Sequence, residues 1–472
     1  MPGIALMKRA GAAAFAELQR RWPAANNITV LCGGGNNGGD GYIIAALARQ
    51  RGFSVTLLQL AAEENLSGDA RLARRFACQA DVSMAPFKGT IDSNDGPIVD
   101  ALLGTGVRGE VREHYRQAIA AINESGRPVL AVDIPSGLCS DTGAVRGCAV
   151  IADVTVTFIG MKSGLLTGRG PAVCGDLVFR ALDVPEQIYH AVPMAAERLH
   201  LTTLLAALPR RERDAHKGKY GHVLVIGGDT GFGGAAAMAA EAALRVGAGL
   251  VGVATRPGHV SALLARRPEL MVKPVDSGQA LEPLLTGPTV LIVGPGLGRS
   301  PWSEQVLQQA INANIPMIVD ADALNILSDG RVGAGADSRS WVLTPHPGEA
   351  ARLLGVSNDE VQQDRFAACR AIQQRYPGTV LLKGAGTLIS SGAGPLSLCP
   401  YGNPGMASGG MGDVLAGIIG GLMAQGLTAQ RAAQLGACLH GVAADRVAAE
   451  FGERGMMATD LLAPLRRLVN GQ

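Results

Sequence analysis

Near the end of the chain, Asn403-Pro404-Gly405-Met406-Ala407-Ser408-Gly409-Gly410-Met411-Gly412-Asp413 runs directly into an apolar segment over 414–423. Small residues let a phosphate approach the backbone, and the amides of a helix start attract anions. A carboxylate there is electrostatically out of keeping unless it has a proton to take or a metal to help hold. The combination points to phosphoryl chemistry, with Asp413 as a base facing a hydroxyl. Upstream, Lys383-Gly384-Ala385-Gly386-Thr387 offers a point charge for phosphate and glycines that open space for a nucleotide. The amides of 409–412, Gly412 among them, would stabilise charge on a transferring phosphoryl group.

Other residues around these carry weaker signals. His346, in Thr344-Pro345-His346-Pro347-Gly348-Glu349, sits in a loop stiffened by prolines and could hold a substrate. A lone His in such a loop is more often structural, and His440 on an apolar helix reads that way. Asp320 and Asp322, in Asp320-Ala321-Asp322-Ala323-Leu324-Asn325, divide evenly between helix caps or turn formers and a metal-assisting role. Gly294-Pro295-Gly296-Leu297-Gly298 ends another expected strand, and a small-residue helix containing Ala235 follows the run His222-Val223-Leu224-Val225-Ile226-Gly227-Gly228.

A second set of candidates lies in the first third of the chain. Cys32-Gly33-Gly34-Gly35-Asn36-Asn37-Gly38-Gly39-Asp40-Gly41 joins a strand to a helix, a weak phosphate signal by itself. A tight turn with Asp40 as helix cap would explain it equally simply. Two further loops raise its weight: Asp100 with Gly104-Thr105-Gly106, and Asp133-Ile134-Pro135-Ser136-Gly137. Asn, Asp and Ser oxygens gathered at the strand ends of one sheet make a site for a hard cation.

The elements that must position these residues alternate regularly. In the first half, apolar runs at 28–32, 53–60, 98–103, 129–134 and 154–158 predict strands, and helical spacing appears over 41–51, 69–79 and 115–124. Such alternation implies a parallel sheet covered on both faces, with sites at the carboxyl ends of its strands. Between 183 and 219, Pro185, Pro193 and Pro209, the short helix 202–208 and the solvated cluster Arg210-Arg211-Glu212-Arg213-Asp214 mark a linker. A second α/β series follows, with strands at 222–226, 250–254, 290–293, 317–319, 341–343 and 380–382. Its helices are expected at 235–246, 303–312, 349–354, 359–375, 413–423 and 429–450. No internal repeat relates the halves.

The composition bounds the function. At 472 residues the chain is long enough for two or three domains. With 47% hydrophobic and 17% charged residues it is a compact globular protein. A net charge of +2 supplies no basic field for nucleic acid or an anionic membrane. No apolar run reaches the ~18 residues that span a bilayer. The start lacks the basic-then-apolar order of a signal peptide. The eight cysteines show no CxxC pair, so they read as reduced, in a cytoplasmic protein. The many small-residue helices predict a homo-oligomer.

The motifs carry a resemblance. Asn36-Asn37-Gly38-Gly39-Asp40-Gly41, Val99-Asp100-Ala101-Leu102-Leu103-Gly104-Thr105-Gly106 and Asp133-Ile134-Pro135-Ser136-Gly137 resemble the NAD(P)H-hydrate epimerase domain. That family is Rossmann-like and interconverts the R and S forms of NAD(P)HX, a nicotinamide cofactor hydrated on its ring. The resemblance implies a K⁺ ion on Asn37, Asp100 and Ser136. It implies substrate contacts from Asn36, Asn37, Gly38, Gly39, Asp40, Gly104, Thr105, Gly106, Val107, Arg108, Gly109, Glu110 and Asp133. On chemical grounds Asp133 is the candidate acid/base for loss and return of the ring hydroxyl, or for ring opening. The family usually begins with a further helical segment before the position of Met7-Lys8-Arg9-Ala10-Gly11, whose absence here points to a late start or a trimmed chain.

The landmarks over 216–463 resemble the ADP-dependent NAD(P)HX dehydratase, of the ribokinase-like superfamily. That resemblance implies substrate contacts from Ala235, Gly296, His346 and Asp413, with Lys383, Gly384, Ala385, Gly386, Thr387 and Gly412 on the adenine nucleotide. Catalysis would fall to Asp413 in this half and Asp133 in the other. ADP is then the co-substrate, Mg²⁺ bridges its phosphates, and NADHX and NADPHX are the substrates. The expected architecture is a Rossmann-like three-layer domain over 1–186 followed by a ribokinase-like α/β domain over 195–472. Together the halves resemble the bifunctional NAD(P)H-hydrate repair family. The rival reading is a ribokinase-type kinase for a small alcohol, fused to a Rossmann-like binding module.

Overall fold

The computed structural model describes residues 2–91, 95–333, 338–392 and 394–472. The chain divides into two compact units, Met1–Pro193 and Met194–Gln472.

The first unit is built on a seven-stranded parallel sheet. Its strands are β1 (Asn27–Cys32), β2 (Ser54–Gln59), β3 (Ser83–Pro86), β4 (Ile98–Ala101), β5 (Val129–Val132), β6 (Val154–Phe158) and β7 (Asp176–Arg180). They stand in the order β3-β2-β1-β4-β5-β6-β7. The order reverses between β1 and β4, which opens a crevice at their carboxyl ends where such sheets take ligands. Both faces are covered, which is why the strands read as nearly unbroken apolar runs. Ile28, Val30 and Cys32 of β1 pack with Phe15, Leu18, Ile43 and Ile44, whereas Leu31 faces Ile119 and Ile122.

The helix after β1 starts at Asn36, five residues before the expected position, with Gly35 as its N-cap. Residues 36–40 are therefore a helical first turn rather than a loop. Gly41 lets that helix lie against the sheet: a Cβ there would stand 2.6 Å from Ala101 Cβ and 2.7 Å from Cys32 Sγ. The helices Gly68–Gln79 and Glu113–Glu124 fall within two residues of expectation. A helix over Gly3–Arg21, which buries Met7, Ala10, Ala14, Phe15 and Leu18, was not expected from the apolar spacing.

The second unit holds a ten-stranded sheet. Its strands are β8 (Ala196–Arg198), β9 (His222–Ile226), β10 (Leu250–Thr255), β11 (Met271–Pro274), β12 (Val290–Val293), β13 (Met317–Val319), β14 (Trp341–Leu343), β15 (Thr379–Leu382), β16 (Thr387–Ser390) and β17 (Leu396–Cys399). The order is β11-β10-β9-β12-β13-β14-β15-β16-β17-β8. Pairing is parallel from β11 to β15, and β15-β16-β17 is an antiparallel meander. The turn over 383–386 joins β15 to β16, and Gly384 within it, at φ 134°, lies against the buried Arg365, whose nearest guanidinium nitrogen would stand 2.9 Å from a Cβ.

The helix Met411–Ala424 buries every residue from Val414 to Ala424. It packs on the helix Gly233–Val246 through small residues: a Cβ on Gly417 would fall 2.1 Å from the Ala239 carbonyl oxygen. Close backbone contact of this kind sets the height of the Gly-rich turn above the sheet. Two expectations need correcting. The helix expected over 359–375 is two, Asn358–Gln363 and Arg365–Arg375, because the Asp364 carboxylate accepts the Ala367 amide at 2.9 Å and starts a new helix. A helix over Ala321–Ser328, absent from the expected helices, follows β13 with Asp320 at its N-cap position. All eight cysteines are free. Among the described residues, no helix is long and apolar enough to cross a membrane.

Candidate active sites

In the first unit the sequence candidates gather at the carboxyl ends of β1, β4 and β5. Asp100 is fully buried and accepts the Ser136 amide at 2.8 Å, the Ser136 hydroxyl at 2.6 Å and the Leu102 amide at 3.2 Å. Burial pushes its carboxyl up to about 6, against the pull of those hydrogen bonds. Ser136 Oγ also accepts the Leu103 amide at 2.8 Å. Asn37 is buried beside Gly104, and neither its Oδ1 nor its Nδ2 has a hydrogen-bond partner. A buried amide oxygen left unpaired is costly in a finished fold, and it marks a place for a ligand or ion.

Asp133 follows β5 with φ 68°, a left-handed conformation that a non-glycine residue holds only under constraint. Its Oδ1 accepts Lys162 Nζ, the Thr157 hydroxyl at 3.2 Å and the Phe158 amide at 3.2 Å. Lys162 donates further to Thr157 Oγ1 at 3.1 Å and the Phe158 carbonyl at 2.8 Å. Asp40, in the first turn of the helix after β1, is near enough to both to feel their charges. Burial, chiefly, and then Asp133 push its carboxyl well above the usual range, against Lys162. After Gly104, residues 105–110 form a mostly exposed loop, with open space around Gly106 and Gly109. Lys162 was missed in the sequence. The available signal was a lysine just past the end of β6, a strand of the same sheet.

In the second unit the landmarks from β12, β13, β14 and β15 converge on Lys383. Its Nζ lies 2.9 Å from Asp320 Oδ1 and 3.8 Å from Glu349 Oε2. Burial works to lower its pKa, but Asp320, Glu349 and Asp413 outweigh it and hold the ammonium above its usual value. Asp320 is 1% exposed and also accepts the Thr344 hydroxyl at 2.7 Å. Its partnership with Lys383 settles its place: the residue after β13 anchors the lysine after β15.

The Gly-rich turn arrives over the same lysine. Gly410 is the N-cap of the helix Met411–Ala424 at φ 90°, a conformation that suits glycine. A Cβ on Gly412 would stand 3.3 Å from Lys383 Nζ and 3.6 Å from Asp320 Oδ2. Asp413 is pushed up to about 7, first by burial and then by the Asp320 and Asp322 carboxylates, against Lys383. A carboxyl that titrates near neutrality beside an ammonium and free amides is equipped to accept a proton while a phosphoryl group is stabilised.

His346 has a structural task. Its Nδ1 accepts the Gly348 amide at 3.0 Å and the Glu349 amide at 3.4 Å, so it caps the helix Pro347–Leu354. Burial, then Lys383 and Arg352, lower its pKa and keep the ring neutral. With Nδ1 occupied as an acceptor, the proton sits on Nε2, which lies 3.4 Å from Glu349 Oε1 on a half-exposed ring. Glu349, read in the sequence only as part of a motif, accepts the His346 amide at 2.7 Å. His440 is buried, its Nε2 lacks a partner, and burial followed by Lys383 lowers its pKa to about 4.

Ala235 and Gly296 meet one another: a Cβ on Gly296 would lie 3.1 Å from Ala235 Cβ and 2.5 Å from the Phe232 carbonyl oxygen. The Phe232 ring beside them is 62% exposed, an apolar surface unmarked in the sequence. Asp322 ties this corner to the Asp413 cluster, accepting the Gly298 amide at 2.9 Å and adding its charge to Asp413. Gly384 and Ala385 are exposed, and Thr387 donates to the Gly384 carbonyl at 3.1 Å. Among the described residues, no three His, Cys, Asp or Glu side chains are grouped to hold a metal ion.

Comparison with known proteins agrees with this geometry. A family model described as NAD(P)H-hydrate dehydratase matches residues 223–467, and one described as YjeF-related protein N-terminus matches 3–164. The bifunctional NAD(P)H-hydrate repair enzyme of Coxiella burnetii is 52% identical over 98% of this chain and 94% of its own. The Escherichia coli protein of that name is 46% identical over 98% and 89%. Among solved structures, a ribokinase-like superfamily protein of Enterococcus faecalis covers 59% of this chain and 96% of its own at 30% identity and TM-score 0.55. The ADP/ATP-dependent NAD(P)H-hydrate dehydratase of Bacillus subtilis, crystallised with ATP and Mg²⁺, covers 59% and 98% at 27% identity and TM-score 0.51. With a relative above half identity along almost its whole length and both halves matched in order, this chain belongs to the bifunctional NAD(P)H-hydrate repair enzyme family.

Proposed function

We infer that the protein repairs hydrated nicotinamide cofactors, exchanging R- and S-NAD(P)HX in its first unit and converting the S form to NAD(P)H in its second with ADP. The observation that carries the reading is the Lys383, Asp320 and Asp413 cluster under the Gly-rich turn, in a chain whose other half belongs to the same repair family. Hydroxide is a poor leaving group and phosphate a good one, which gives the nucleotide its purpose. Asp413 takes the proton of the ring hydroxyl. The oxygen then attacks the terminal phosphorus of ADP, and AMP departs with the bonding pair. The ring nitrogen expels phosphate, a proton leaves the neighbouring carbon, and the dihydronicotinamide is restored.

Lys383 and the amides around Gly412 hold the phosphates through this sequence, with Gly384, Ala385, Gly386 and Thr387 lining the nucleotide. Gly296, Ala235 and His346 Nε2 face the substrate. Mg²⁺ would arrive with the nucleotide and neutralise charge on the phosphates that Lys383 and the amides around Gly412 hold. A cation that takes most of its ligands from phosphate and water fits a site without a three-residue acidic cluster. In the first unit the unpaired Asn37 oxygen, Asp100 and Ser136 suit K⁺, which would offset the buried charge of Asp100 and draw the substrate phosphates. Residues 36–40 and 104–110 with Asp133 bind the hydrated cofactor. The protein works in the cytoplasm on free NADHX and NADPHX.

The test is to incubate the purified chain with mixed R- and S-NAD(P)HX, ADP, Mg²⁺ and K⁺, and to follow reduced nicotinamide and free phosphate. Complete recovery of NAD(P)H with equal release of phosphate is expected. Recovery that stops at the S fraction removes the epimerase half. A stable phosphorylated product without NAD(P)H points instead to a small-alcohol kinase.

A further inference from the structure

The first site contains two carboxyls and one ammonium, and the fold treats the carboxyls unequally. Lys162 spends all three donors of its ammonium, on Asp133 Oδ1, Thr157 Oγ1 and the Phe158 carbonyl. It therefore has no donor left for a ligand. Asp133 Oδ1 is correspondingly saturated, by Lys162, Thr157 and the Phe158 amide, which fixes the carboxylate through one oxygen. Asp40 has neither an ion pair nor a side-chain hydrogen bond among the described residues. Its surroundings press it toward the neutral acid, burial first and the Asp133 charge second. Two neighbouring carboxyls whose environments differ in this way divide the work of acid and base between them.

We propose that Asp40 is a second catalytic carboxyl of this site, the one that carries the proton, and that Lys162 is the positioning residue that fixes Asp133 opposite it. The proposal rests on the epimerase reading of this unit. Asp40 gives its proton to the ring hydroxyl of the hydrated nicotinamide. The carbon–oxygen bond breaks with its pair going to oxygen, water leaves, and the ring nitrogen's lone pair closes a carbon–nitrogen double bond. The Asp133 carboxylate faces the resulting cation. Water then adds to the other face of the ring, the π pair returns to nitrogen, and the surplus proton goes back to Asp40. No proton or electron is consumed, as an epimerisation requires.

The charged groups acting on Asp40 are Asp133 from the end of β5 and Lys162 from the loop after β6, and Asp40 in turn helps raise the buried Cys32 thiol at the end of β1. Because Asp40 must start protonated, the epimerisation rate falls at high pH as it loses its proton. Lys162 lowers the Asp40 pKa, so its removal moves that descending limb to higher pH.

The experiment follows R–S exchange by chromatography in the full chain without ADP, so that the second site is silent. Asp40→Asn is expected to lower kcat about 100-fold or more with KM within about threefold. Lys162→Met is expected to lower kcat and move the descending limb upward, and Lys162→Arg to restore the limb and part of the rate. Calorimetry of the full chain, with the first unit's unfolding transition retained, reports that each variant is folded. If Asp40→Asn changes KM alone, or keeps more than about a tenth of kcat, Asp40 is a binding residue and the proposal fails. An unmoved limb in Lys162→Met removes the role of Lys162. A wild-type chain that exchanges nothing fails at the earlier step, and the epimerase reading falls with it.

Discussion

At the scale of single residues, the second site turns on a charge balance in which burial is the largest influence. Asp413 would be an ordinary carboxylate in water. Burial and the nearby Asp320 and Asp322 charges raise it to about 7, while Lys383 pulls the other way. A general base works in its ionised form, so S-form dehydration is expected to rise with pH through about 7 and then level, read as kcat/KM against pH. Asp320→Asn removes the leading carboxylate influence and leaves more of the Lys383 charge for Asp413. Both changes move the ascending limb to lower pH, and an unmoved limb would assign it to another group. Asp413→Asn should lower NAD(P)H recovery about 10³-fold. Lys383 and Asp413 were legible in the sequence because their motifs are short and contiguous. Asp320 stood there evenly between cap and metal helper, since its partner is 63 residues away.

At the scale of elements, the Gly-rich turn of the second candidate site is held up by close packing of two helices. Helix Met411–Ala424 contacts helix Gly233–Val246 backbone to backbone at Gly417, and Gly410 sits against Met238 near the top of the same contact. Gly417→Ala would press a methyl onto the Ala239 carbonyl, costing about 1–3 kcal/mol. Calorimetry should show the second unit unfolding about 2–10 °C lower. An unchanged transition would mean the helices slide without cost. The strands that surround the sites were legible almost to the residue, because buried parallel strands are continuous apolar runs. The start of the helix at Asn36 was not, since glycines and asparagines have low helix propensity and here are held helical by packing on β1 and β4.

At the scale of the whole molecule, each unit carries its own sheet, its own core and its own candidate site, and the proposed reactions use different residues. Asp133→Asn should therefore abolish R–S exchange while sparing S-form dehydration, and Asp413→Asn should do the reverse. Loss of both activities in either variant, with both units still folded by calorimetry, would contradict independent sites. The family matches divide in the same way, one over 3–164 and the other over 223–467.

The sequence by itself determined which motifs exist, their order, and the alternation of strand and helix that places them at strand ends. These are local properties: glycines before a helix, a carboxylate at its start, apolar runs of strand length. Tertiary structure alone decided which charges face each other. It set Asp320 and Glu349 against Lys383, made His346 a helix cap whose other nitrogen faces Glu349, and brought Lys162 to Asp133 from the loop after the next strand. Among the described residues it also left the Asn37 amide buried without a partner. Pairing across a sheet depends on strand order and register, and the protonation of a buried carboxyl depends on every neighbour within a few ångströms. Neither is written in the spacing of residues along the chain.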